Sequence, residues 1–302
     1  MLDGGSDKFW FSLCSQVQAL VSVPAAGVWK RLVWQMRVQC GRVTAVTESS
    51  TPVPASFDAA AELAQISDAT AHLLLTAADL TDEDLRGPSL CPGWTRGHVL
   101  THIARNADGL ANLLNTAATG EVTPMYPSDD KRNADIEAGS SRGAAEQLAD
   151  LRESAARFAK AYAAAASAEG WGTPVHRTPG AEPYPAYLVP GKRLGEVVIH
   201  HVDLDADFTP AHWSDAFTDD WFAKTVAGAA EDEDFPPLRL DAEEEDEVYG
   251  VKADADDASV LTVRGPKRAL LAWLLGRASG DGLVAELPEG GRGPLPKLPS
   301  WG

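Results

Sequence analysis

The sequence predicts an α plus α+β protein: a four-helix bundle over residues 55–210, followed by a small α+β domain over residues 211–290. Three observations carry this. Long Ala- and Leu-rich segments place apolar residues at three- and four-residue spacing, the period of one helix face. A single long polar connection separates the second of these segments from the third, as in bundles with a crossover. After Pro210 the pattern changes to short strand-like runs between turn residues, flanked by two helical stretches.

At 302 residues the chain exceeds the size near which single cores stop growing, about 250 residues, so two units are expected. Residues 1–54 read differently from the rest. The first 50 carry five basic and three acidic residues, net +2, which leaves −20 for the remainder. They also hold Trp10, Trp29, Trp34, Cys14 and Cys40. Phe9 to Trp29 is moderately apolar and ends near Val23-Pro24-Ala25, faintly like a signal peptide. Asp3, Asp7 and Lys8 make a poor basic leader for one, and Ser and Gln interrupt the apolar run. The segment is expected to be a disordered or non-native extension, read from an upstream start codon.

The first helix is expected over residues 57–80, with Asp58 near its start. A turn follows at Gly87-Pro88-Ser89-Leu90-Cys91-Pro92-Gly93, and Thr95 is a natural N-cap for a second helix reaching about residue 119. Residues 120–142 are polar, include Pro124 and Pro127, and read as a long connection. A third helix is expected over residues 143–168. Residues 171–190 are too rich in proline for regular helix, and the fourth helix is placed at residues 193–206. Beyond Pro210, a helix is expected over 213–230 and another over 268–277, with strands at 238–240, 248–252, 259–263 and 284–287. The tail, residues 291–302, reads as irregular.

The formal charge of −18, with no clustered Lys and Arg in the acidic body, excludes a nucleic-acid footprint. The acidic runs at 231–234 and 243–247 read as solvated loops, because the glycine and alternating oxygens of a calcium loop are missing. Three cysteines form no disulfide framework and fit a reducing, cytoplasmic compartment. No uncharged apolar run reaches the roughly 20 residues of a membrane span.

The strongest chemical signal is Glu196-Val197-Val198-Ile199-His200. Four-residue spacing puts the carboxylate and imidazole on one helix face, and burial of that carboxylate among Val and Ile calls for a cation or hydrogen bonds. Such pairs also occur in purely structural roles. On the second helix His102 is bracketed by Leu100, Ile103 and Leu110, so it is expected to point inward, whereas His98 sits nearer the surface. His102 also has an ordinary reading, as a hydrogen-bonded core histidine. Taken together, His102, Glu196 and His200 would give two imidazoles and one carboxylate, leaving one coordination position open, the form of a catalytic zinc site. An open site can bind and ionise a thiol. His201 is expected to point elsewhere, and Asp203 either to hydrogen-bond a ligand histidine or to cap local backbone.

At Leu90-Cys91-Pro92-Gly93-Trp94-Thr95, at His102-Ile103-Ala104 and at Glu196 to Leu204, the chain resembles the mycothiol-dependent maleylpyruvate isomerase family, within the DinB-like metalloproteins. The resemblance runs from about residue 57 to 290 and includes Gly265 to Arg277. It implies a DinB-like bundle carrying zinc on His102, Glu196 and His200, with mycothiol as the thiol cofactor. It also implies cis–trans isomerisation of maleylpyruvate to fumarylpyruvate by reversible thiolate addition. Arg277 resembles the family's catalytic, substrate-binding arginine, with Arg193 and Arg105 as weaker candidates; Cys91 reads as structural. The implied partners are a small-molecule substrate and a low-molecular-weight thiol, with no nucleic acid and no membrane, in a monomer. A mycothiol S-transferase and a non-catalytic ligand-binding bundle remain as alternatives.

Overall fold

A computed structural model describes residues 50–245 and 247–299. The expectations for residues 1–49 and for the end of the tail fall outside these residues. The first helix, α1 (Ala59–Asp79), starts where Asp58 Oδ1 accepts from the backbone of Ala60 and Ala61 at 2.9 and 3.0 Å. A short α2 (Asp82–Arg86) is held by a capping box between Thr81 and Asp84. The predicted N-cap Thr95 opens α3 (Arg96–Thr119), which ends at Gly120 in the left-handed region with φ 74°.

The connection expected over residues 120–142 contains a helix, α4 (Asp129–Ser140), capped by Ser128. It was invisible to periodicity because of its few apolar residues only Ile136 is well buried, with Arg132 and Gly139 beside it. Gly97 on α3 lets the two helices approach, since a Cβ there would stand 2.1 Å from the carbonyl oxygen of Ser140. The third long helix is α5 (Ala144–Ser167).

Residues 171–190 are irregular as expected, apart from a two-residue antiparallel pair, β1 (Pro174–Val175) with β2 (Tyr184–Pro185). The next helix, α6 (Val189–Asp203), begins four residues before the predicted start and stops short of the predicted end. Pro190 lies inside the first turn of α6 and not ahead of it. At the first turn a proline costs nothing, because its missing N–H would have been unpaired anyway. Helices α1, α3, α5 and α6 pack as the expected four-helix bundle, and α4 lies across α3.

Beyond α6 come α7 (Asp215–Glu231) and a five-stranded sheet in the order β4-β3-β5-β6-β7. The strands are β3 (Leu238–Ala242), β4 (Val248–Val251), β5 (Thr262–Gly265), β6 (Val284–Glu286) and β7 (Arg292–Gly293). β3 and β5 run parallel and the remaining pairs are antiparallel. β5 lies further along the chain than the predicted 259–263, and β7 gives the supposedly irregular tail one paired segment. The last helix is α8 (Lys267–Leu274), packed with α7. The acidic run 243–247 is not simply solvated: Glu244 Oε2 accepts from the Lys267 backbone at 2.9 Å, and Glu245 pairs with the Lys267 ammonium. These acids meet the first turn of α8, where exposed N–H groups favour negative charge.

One apolar cluster runs without interruption from Phe158, Leu194 and Val198 to Trp221, Leu240 and Leu271, so bundle and sheet share a core. The junction is close. A Cβ on Gly195 of α6 would fall 1.9 Å from the Trp221 ring of α7. Among the described residues no helix is long and apolar enough to cross a membrane.

Candidate metal centre

α3 and α6 pack side by side, and their facing surfaces bring the three predicted donors together. His102 on α3 is 3% exposed, and Glu196 and His200 stand one turn apart on α6, each with 13% of its side chain exposed. His102 Nε2 lies 2.9 Å from Glu196 Oε2 and 3.1 Å from His200 Nε2, and the remaining edge, His200 Nε2 to Glu196 Oε2, is 3.4 Å. Bonds of about 2.0–2.1 Å to a tetrahedral zinc space its donors roughly 3.3–3.4 Å apart, so this donor set fits such an ion. The ring of Trp94 forms a wall, with its centroid 5.5 Å from that of His102.

A polar chain fixes one of the three donors from behind. His200 Nδ1 donates to Asp203 Oδ2 at 2.7 Å, which leaves Nε2 facing Glu196 and His102. Asp203 is fully buried, and Arg277 grips it with two hydrogen bonds, from Nε at 2.9 Å and Nη2 at 2.7 Å. The Asp203 carbonyl also accepts from Leu90 at 2.9 Å, tying in the turn that carries Cys91. Cys91 is buried and forms no disulfide among the described residues, with its sulfur 4.0 Å from Arg277 Nη2. Cys91, His200 and Asp203 form a second group of potential donors, behind the first.

The electrostatics suit a bound cation. Burial alone would raise the Glu196 carboxyl, but the electrostatic pull and the hydrogen bonds of the two imidazoles outweigh it and hold the group well below the carboxylate range. Burial likewise penalises a charged His200, yet hydrogen bonds to Asp203, Cys91 and Glu196 raise it well above the usual histidine value. Burial pushes His102 down to about 4, aided by His200 and Arg132 and opposed by Glu196. The pocket thus holds positive charge between two carboxylates and keeps His102 neutral, the form that donates a lone pair.

The other predicted residues lie elsewhere. His98 bonds Thr95 and Glu137, away from the three donors. His201 is turned from the site and bonds Thr76 at 2.7 Å. Arg105 pairs with Asp150 and Asp108. Arg193 is fully buried against the Ile103 carbonyl and Asn106. Arg277 does reach the site, through Asp203, and lines a cavity of about 310 Å³ with Cys91 and Trp273. Sequence reasoning missed Arg132 and Tyr126. Arg132 Nη2 lies 3.3 Å from His102 Nδ1, and its guanidinium sits 5.9 Å from the Tyr126 ring centroid. Both belong to a polar stretch with no periodic signal, and nothing in the sequence marks Arg132 as buried.

Residues 66–205 match a family model described as the mycothiol maleylpyruvate isomerase N-terminal domain. A crystal structure of the mycothiol-dependent maleylpyruvate isomerase superposes with a TM-score of 0.70 and 28% identity, covering 81% of this chain and 97% of that one. A second, of a histidine-to-alanine mutant, gives 0.72 and 27% over the same shares. No curated protein matches the chain. The resemblance carried by the motifs is borne out: residues 66–205 match this family's N-terminal domain, and the chain is similar in structure to the mycothiol-dependent maleylpyruvate isomerase.

Proposed function

We propose that the protein is a zinc- and mycothiol-dependent maleylpyruvate cis–trans isomerase, with zinc held by His102, Glu196 and His200. The observation that carries this reading is the triangle of donor atoms, 2.9, 3.1 and 3.4 Å on its edges, on the face shared by α3 and α6. Cation and thiol together would supply one piece of chemistry: a thiolate able to add reversibly to the conjugated double bond, which would then be free to rotate before elimination. The chain's own residues arrange it. Glu196 and the two imidazoles offer three donors and keep one position open. Asp203 holds His200 in the tautomer that presents Nε2, and Arg277 holds Asp203. Arg277 is also the proposed catalytic arginine. Beyond its bonds to Asp203 and the Leu275 carbonyl, it borders the cavity beside Cys91, where a substrate carboxylate would meet it.

The test is metal analysis of the purified protein together with turnover of maleylpyruvate with and without mycothiol. Stoichiometric zinc and thiol-dependent isomerisation are expected. Bound zinc without isomerisation would reject this reading and leave an S-transferase acting on other electrophiles.

A further inference from the structure

Arg132 is 9% exposed, yet it has no carboxylate partner among the described residues. Its guanidinium donates to Asn133 Oδ1 at 2.9 Å, faces His102 Nδ1 at 3.3 Å and lies over Tyr126, all neutral partners. Most other arginines near the bundle are matched: Arg105 and Arg142 by Asp150, Arg157 by Asp108, Arg177 by Asp129, Arg277 by Asp203. A buried cation without a counter-charge is costly unless an anion completes it.

The bond to His102 is also conditional. Nδ1 can accept from Arg132 only while the imidazole proton sits on Nε2. Coordination through Nε2 needs the lone pair there, which moves the proton of a neutral ring to Nδ1. Two N–H groups then face each other across 3.3 Å, and the guanidinium loses that acceptor. His200 shows the opposite arrangement, its Nδ1 paired with the acceptor Asp203. The two ligand histidines are therefore backed by groups of opposite sign.

We infer that Arg132 is a carboxylate anchor for an anionic substrate, a buried cation that would lack an acceptor at His102 if that ring gave its Nε2 lone pair to a metal. The inference rests on the metal-site reading above and extends it, adding to Arg277 a second cation, on the α4 side of the three donors. Metal and carboxylate bind with positive coupling, because the first frees the group that the second needs, and the second neutralises a charge that repels the first.

The experiment measures two affinities in Arg132→Gln and Arg132→Lys, without any thiol: that of maleate for the zinc-loaded protein, by calorimetry, and that of zinc, by chelator competition. In Arg132→Gln, maleate binding is expected to weaken about 10- to 100-fold, the loss of a charge-assisted hydrogen-bonding group. Zinc should bind more tightly, since a repelling charge is gone; Arg132→Lys should recover part of the maleate affinity. Unchanged maleate affinity, or weaker zinc binding with a lowered Tm, would overturn the assignment. Wild-type protein that takes up no zinc overturns both this and the metal-site reading. Maleate bound through Arg132 in a protein that does not isomerise maleylpyruvate upholds the anchor and removes only the isomerase.

Discussion

His200 Nδ1 and Asp203 Oδ2 are joined at 2.7 Å, three residues apart on α6, and Asp203 has no exposed surface. Replacing Asp203 with Ala removes the acceptor that orients His200 and leaves Arg277 buried without its partner. Metal affinity should fall about 10- to 100-fold, measured by chelator competition. Stability should fall by about 3–5 kcal/mol in urea unfolding of the metal-free protein, the cost of an uncompensated buried charge. An unchanged metal affinity would mean that Asp203 serves packing alone.

His102→Ala should abolish metal uptake, because it deletes a donor 2.9 Å from Glu196 and 3.1 Å from His200. His98→Ala should leave metal content intact, since its ring is bonded to Thr95 and Glu137. Metal analysis of the two purified variants decides this, and equal loss in both would contradict the geometry.

Gly195→Ala is expected to destabilise by about 1–3 kcal/mol, as overpacking does, because the added methyl group overlaps the Trp221 ring at 1.9 Å. Thermal unfolding followed by tryptophan fluorescence checks it. An unshifted Tm would show that Trp221 moves aside freely.

His201 gives a pH dependence independent of the metal ligands. Burial, with His72 and His212 adding to it, lowers it to about 4. A histidine in the unfolded chain titrates near about 6.5. Between these values the unfolded state binds the additional proton, so stability is whole above pH of about 6.5 and declines as pH falls toward about 4. The full loss is at most about 3.4 kcal/mol. Chemical denaturation across this range should show the slope in wild type and a flatter one in His201→Gln. Identical slopes would refute it.

The long helices were legible because each buries a regular apolar stripe, and Thr95 and Asp58 mark two starts with side chains that cap orphan N–H groups. The donor triad was legible because four-residue spacing fixes Glu196 and His200 on one face. Two things were not. α4 carries almost no apolar periodicity, since it covers the bundle with a thin edge of Arg132, Ile136 and Gly139, and missing it hid Arg132. The role of Asp203 depends on Arg277, 74 residues later, a pairing that no local pattern encodes.

That last pairing reaches across the molecule. The carboxylate that steadies a histidine in the helical half is clamped by a guanidinium contributed just past the end of α8. Cutting the chain between the halves would therefore loosen the proposed ion's seat without touching any of its three donors. Conversely, filling that seat should protect the C-terminal segment from proteases.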